Sequence, residues 1–230
     1  MIGKLVSLFY PDVCSACNGH LVRGEEKICT ACMYHLPKTD YHLIPDNPMI
    51  RHLWGKQKIE AAAAYFFFNK GEKVQRLVHN LKYKKQTELG VFIGKLYGTH
   101  LKETSPFRDA GLIIPVPLHP AKLLKRGFNQ SELFARGLGI AMNKVCDTEL
   151  LVRRKFSETQ TRKSRYHRWS NVKDIFALET EKERSAVRGT HFLLVDDVVT
   201  TGSTLEACAE ALLKIPGSKV SIAAIAYSAY

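Results

Sequence analysis

The most constraining stretch of the chain is "HFLLVDDVVTTGST", residues 191–204. Phe192, Leu193, Leu194 and Val195 form an unbroken apolar run, the pattern of a strand buried on both faces within a parallel sheet. Asp196 and Asp197 follow at its carboxyl end, the edge where open α/β sheets bind ligands. Then come Thr200, Thr201, Gly202, Ser203 and Thr204, leading into the helical pattern "STLEACAEALLK". Glycine lets the backbone turn tightly there. Successive N–H groups can form an anion-binding nest, and the positive end of the following helix adds to it. The stretch reads as a cradle for one phosphate with two carboxylates beside it. Carboxylates repel phosphate, so they must serve sugar hydroxyls or share a Mg2+ ion. Helix capping accounts for one Ser, Thr or Asp at such a place, not for six polar positions around one glycine. The GxxxxGK[ST] pattern of a P-loop is missing.

The surrounding sequence supplies the rest of such a domain. "AAAAYFFF", "GLIIPVP", "ELLVRR" and "KVSIAAIAYSAY" read as strands. "GEKVQRLVHNLKY" carries Val74, Leu77, Val78 and Leu81 at helical spacing, and "TELGVFIGKLYGTHL" and "NQSELFARGLGIAM" are further helices. Strands alternating with helices predict an α/β domain with a mostly parallel central sheet, spanning 58–230. A cysteine-containing N-terminal region, 1–45, precedes it, with 46–57 as linker.

That N-terminal region holds Cys14-x2-Cys17, eleven intervening residues, and Cys29-x2-Cys32. Two such knuckles can place four thiolates tetrahedrally around Zn2+. The spacer is shorter than the common 15–20, which predicts a compact zinc ribbon. His20 and His35 are substitute ligands by residue type, but four cysteines suffice. A closed four-thiolate site leaves no open coordination position, so its role is structural. The remaining cysteines, Cys146 and Cys208, stand alone and read as small buried hydrophobes.

Two basic stretches remain. In residues 113–138, Lys122, Lys125 and Arg126 follow the strand ending in Pro-Val-Pro, and "GFNQ" opens the next helix. These cations suit a pyrophosphate beside the cradle; the competing reading is a solvated helix with lysines outward. Residues 153–176 interleave Arg162, Lys163, Arg165 and Arg168 with Phe156, Tyr166 and Trp169. They read as a lid closing over the ligand, as a track for single-stranded nucleic acid, or as a solvated loop. The formal net charge of +12 favours polyanionic partners and equally favours solubility. The longest apolar run, residues 61–68, is well short of the roughly 18 residues a membrane span needs. The chain therefore reads as cytoplasmic, or at most peripheral to the inner face of a membrane.

Residues 192–204 resemble the phosphoribosyl-pyrophosphate (PRPP) signature of type I phosphoribosyltransferases. The resemblance implies that Asp196 and Asp197 hold the ribose hydroxyls and that Thr200, Thr201, Gly202, Ser203 and Thr204 hold the 5′-phosphate. With the cysteine pairs, "LKYKK", "RGFNQ" at 126–130 and "TQTRKSR" at 159–165, nearly the whole chain is similar to the ComF family. That resemblance implies a role in natural transformation, with single-stranded DNA and the DNA-uptake machinery as partners. It implies either a Mg2+-dependent phosphoribosyltransferase or a non-catalytic binder of PRPP or DNA. A third implication is a metabolic accessory protein of the GntX type. One departure is visible: the family often has glycine soon after "KY", where this chain has Lys84, Lys85 and Gln86.

Overall fold

The computed structural model describes residues 12–53, 58–69, 72–154, 175–179 and 187–228. At its centre is a sheet of five strands: β1 (Ala61–Phe67), β2 (Leu112–Pro115), β3 (Val145–Cys146), β6 (His191–Val199) and β7 (Lys219–Tyr227). They lie in the order β1-β7-β6-β2-β3, and every neighbouring pair is parallel. All but the first residue of β7, and the first six of β1, are buried. Side chains on both faces are therefore covered, which is why these strands read as continuous apolar runs rather than alternating ones.

Among the described residues the α-helices are α1 (Thr30–His35), α2 (Pro48–Leu53), α3 (Lys73–Tyr83), α4 (Thr87–Leu101), α5 (Pro120–Arg126), α6 (Gln130–Met142) and α7 (Ser203–Leu213). The glycines of α4 belong to a close crossing with α6. A Cβ on Gly94 would stand 2.8 Å from the Cα of Gly137, so the two backbones touch where no side chain fits. That contact compensates the helix-weakening entropy of glycine.

"ELLVRR" lies outside the parallel sheet. Its strand, β4 (Leu151–Arg153), pairs antiparallel with β5 (Phe176–Leu178) in a separate two-stranded unit. Leu151 and Leu178 are buried, and the pair rests against α7.

Residues 37–39 cover the outer edge of β1. Phe67 donates its N–H to Pro37 O at 2.8 Å and Thr39 to Tyr65 O at 3.1 Å, which removes an exposed sheet edge. Residues 47–53 also pack on this strand. The Asn47 amide donates to Ala62 O at 2.8 Å and its oxygen accepts from the N–H groups of Met49 and Ile50, both at 3.0 Å. Met49 and Leu53 are buried.

Candidate functional site

The site forms where β6 outruns β2. Pairing between them ends at Pro115 opposite Val195, while β6 continues along β7 to Val199. The last ladder bond is Val116 N–H to Val195 O at 2.8 Å. In a parallel ladder the next bond would run from Asp197 N–H to Val116 O. Both groups are instead taken by side chains. The Asn129 amide donates to Val116 O at 3.0 Å, and Asp197 N–H donates to Asp196 Oδ1 at 2.8 Å. The sheet is thereby prised apart at the acidic pair with both of these backbone groups still paired.

Each carboxylate is held from a different direction. Asp196 Oδ1 also accepts from Ser131 Oγ at 2.9 Å. Asp197 Oδ1 accepts from Val198 N–H at 2.7 Å, and its Oδ2 faces Lys82 Nζ at 2.8 Å. Burial, and then the charge of Asp197, push the Asp196 carboxyl up to about 7; the Asp197 N–H, Ser131 and Lys82 oppose this. Proton binding at Asp196 is thereby favoured, while Lys82 faces the neighbouring carboxylate. Such a pair suits hydroxyl hydrogen bonding better than a dedicated metal cage.

The loop after β6 has the geometry of an anion cradle. Asp196, Thr200, Thr201, Ser203 and Thr204 line one concavity with Gly202. Gly202 has φ +72° and is the N-cap of α7, a position at which it brings no capping side chain of its own. Within the turn Ser203 Oγ donates to Thr201 Oγ1 at 3.3 Å, and the orphan N–H groups of a helix start are the donors such a concavity offers. A Cβ on Gly202 would lie 2.5 Å from Leu53 Cδ2. His52 Nε2 stands 3.3 Å from Thr201 O. Helix α2 is thus a buttress beneath the cradle, which sequence pattern alone did not signal.

Beside the acidic pair is a basic groove of about 330 Å³, lined by Lys82, Tyr83, Lys85, Lys122, Lys125, Arg126 and Phe128. Lys122, Lys125 and Arg126 belong to α5, a short helix with no buried residue. It lies largely in solvent, and its cations line the groove. Gly127, φ +81°, ends it, and Asn129 caps α6 by accepting from Ser131 N–H at 3.1 Å. Arg126 reaches Gln130 Oε1 at 2.7 Å and sits over the Tyr83 ring, 5.4 Å from its centroid. The residues of "RGFNQS" thus act on one place: Arg126 faces the groove, Asn129 interrupts the ladder and Ser131 holds Asp196. Lys82, Asn129 and Ser131 join the acidic pair, although the sequence reading gave none of them a role there. The departure after "KY" is accommodated by Lys85 itself, at φ +54°, the left-handed conformation that glycine adopts without strain. Arg162 and Arg165, with the rest of the aromatic–basic segment 155–174, lie outside the described residues.

The ligand sulfurs of Cys14, Cys17, Cys29 and Cys32 all lie within 4.8 Å of one another. Cys14 Sγ accepts N–H bonds from Ala16 at 3.4 Å and Cys29 at 3.3 Å, and Cys17 Sγ from Gly19 at 3.4 Å. Burial raises the Cys14 thiol, but N–H donors from Cys29, Cys17 and Ala16 outweigh it and bring it down to about 7. Convergent sulfurs with N–H groups aimed at them fit a thiolate-bound metal. Neither His20 nor His35 belongs to this cluster.

Comparison with known proteins bears on this geometry. The phosphoribosyl transferase domain model matches residues 133–229. The DNA utilization protein YhgH of Escherichia coli K12 is 30% identical over 220 residues, covering 94% of this chain and 91% of that protein. The chain belongs to the ComF family. Competence protein F of Haemophilus influenzae is 25% identical, over 93% of this chain and 96% of its own. Competence protein ComFC of Bacillus subtilis is 22% identical, over 84% and 81%. This ComF-family protein has the type I phosphoribosyltransferase fold with its mostly parallel central sheet. Among its described residues no helix is long and apolar enough to cross a membrane.

Proposed function

We propose that this protein binds PRPP or a related phosphoribosyl ligand and serves in the handling of incoming DNA. The observation that carries the ligand is the Gly202-centred, hydroxyl-lined turn next to the prised-open acidic pair. Thr200, Thr201, Gly202, Ser203 and Thr204 take the 5′-phosphate through N–H and hydroxyl donors. Asp196 and Asp197 take the ribose hydroxyls. The groove cations Lys122, Lys125 and Arg126 meet the pyrophosphate. Mg2+ arrives with the ligand and neutralises its pyrophosphate charge. Zn2+ is the metal proposed for the four cysteines, where it cross-links two short knuckles and supplies folding energy. The DNA role draws on the names of the relatives, one a DNA utilization protein and two competence proteins.

Calorimetric titration of the zinc-replete protein with PRPP and Mg2+ tests the ligand. Saturable binding is expected, and Asp196→Asn with Asp197→Asn should weaken it at least a hundredfold while the circular dichroism spectrum is unchanged. Unaltered affinity in the folded double variant would remove the acidic pair from the site.

A second reading places single-stranded DNA along the basic groove, where exposed Tyr83 and half-buried Phe128 accompany five cations. Stacking on aromatics beside a positive channel is how such strands are held without sequence preference. Affinity for an oligothymidine should then fall steeply with salt, and Tyr83→Ala should weaken it several-fold. A Tyr83→Ala protein with unchanged affinity would take the strand off this groove.

A further inference from the structure

The first cysteine knuckle does more than approach its metal. Its two inner residues, Ser15 and Ala16, are both buried, and both are bonded to α3 or to the turn that follows it. Asn80 Nδ2 donates to Ser15 O at 2.9 Å, and Arg76 donates to Ala16 O at 3.1 Å. Ser15 Oγ donates to Gln86 Oε1 at 2.9 Å. A fourth link pairs Lys27, between the knuckles, with Glu88 at the start of α4. Between Asn80 and Gln86 lie Lys82, Tyr83 and Lys85, the residues that α3 and its turn contribute to the basic groove.

Two features give this docking consequences. Lys85 lines both the groove and a second crevice, of about 300 Å³, between the cysteine region and the α3–α4 turn. Its backbone is left-handed at φ +54°. A non-glycine residue keeps that conformation only where its surroundings over-determine it, and the neighbouring Gln86 is held by the knuckle. Lys82, two residues after Asn80 on α3, is the cation that faces Asp197 at 2.8 Å and also borders the groove. It stands at the boundary between the acidic pair and the basic wall, so a small shift of α3 changes both.

We propose that the Cys14–Cys17 knuckle is a strap that positions α3, and through it Lys82 and Lys85, so that metal loading of the four-cysteine centre sets how well the anion site is formed. Arg76 and Asn80 are positioning residues in this scheme, acting through α3. The four cysteines fit a metal by the convergence described above, and the strap is the part of the chain that transmits its presence. The effect on ligand affinity rests on the reading of the cradle and groove as a PRPP site; the strap itself does not.

The test is hydrogen exchange measured by mass spectrometry on the full chain, metal-replete and chelator-stripped, with PRPP titrations in parallel. Amides of residues 80–89, including Lys84 N–H on Asn80 O and Leu89 N–H on Gln86 O, should exchange at least tenfold faster after stripping. Those of α7 and β7 should be unchanged, and PRPP affinity should fall about tenfold. Unchanged exchange at 80–89 overturns the proposal. If stripping loosens the whole chain, the metal-replete Arg76→Met with Asn80→Leu double variant decides. Co2+ substitution should show the same tetrahedral thiolate spectrum in that variant as in the native protein. Selective loss of protection at 80–89, with weaker PRPP binding, supports the strap. Unaltered protection, or a loss spread through the sheet, overturns it, the latter because these bonds would then be general core. A native protein that ignores PRPP sinks the ligand reading while the exchange data still judge the strap. Faster exchange with undiminished PRPP binding overturns its link to the site.

Discussion

The cradle and the basic groove are neighbours built by opposite means. The cradle is a single run, Asp196 to Thr204, and its donors are N–H groups and short hydroxyl side chains fixed by one glycine and by Leu53 beneath it. The groove is collected from three places, the end of α3, the turn after it and α5 with Phe128, and its donors are long side chains, three of them on an unburied helix. In the proposed binding mode, a ligand phosphate would meet preorganised donors in the first and adaptable ones in the second. Preorganised donors need no ordering on binding, whereas long cations lose rotamer freedom and are screened by salt. On the proposed reading, the cradle sets what is bound and the groove tunes how strongly.

Breaking the rigid half should give the largest effect. Gly202→Val forces a β-branched residue to φ +72° and drives its Cβ onto Leu53. Urea unfolding should show a loss of about 3 kcal/mol, and PRPP binding should disappear. Native stability in that variant would mean the turn is not fixed as described.

Asp196 sharpens the same half. Its folded carboxyl is raised to about 7 from 3.8, so the folded protein binds the proton more tightly than the unfolded chain does. That contribution is fully present below about pH 4 and is lost as pH rises through 7. Asp196→Asn keeps the acceptor for Ser131 but never ionises. Relative to native, it should therefore gain roughly 1.4 kcal/mol or more, one pKa unit's worth, between pH 5 and pH 8. Thermal unfolding at the two pH values reads this, and a pH-independent difference would contradict the half-buried, crowded environment. Below pH 7 native PRPP binding should also release protons into the buffer if the ligand requires the carboxylate.

The smallest effect belongs to the groove. Lys122→Ala with Lys125→Ala should leave stability within about 0.5 kcal/mol. PRPP affinity should fall about fivefold at low salt and hardly at all at about 0.5 M salt. A loss that persists at high salt would make this half as preorganised as the cradle.

The sequence exposed these two halves unequally, for the same physical reason. "FLLVDDVVTTGST" is contiguous, so strand, turn and helix start could be read in one line, and the cysteine spacing likewise announced the cluster that the sulfurs form. The parallel sheet followed from its apolar strands. What stayed hidden was non-local. Lys82 meets Asp197, and Ser131 meets Asp196, across long sequence separations. Leu53 under Gly202 lies in a stretch that looked like linker. Strand "ELLVRR" looked like the others by composition, yet its partner, Phe176–Leu178, gives it a separate antiparallel pair. Helix α5 was legible only as a charged stretch, because none of its residues is buried and no apolar period marks it.

The side-chain amide of Asn129 has a consequence for how the proposed site could be closed without unfolding the protein. It is Asn129 that occupies Val116 O and so stops β2 and β6 from closing by one more bond. Replacement by an apolar residue frees that carbonyl for Asp197 N–H, and the mouth zips shut while fold and core persist. One side-chain amide thus decides whether the two strands end in an open mouth or a closed seam.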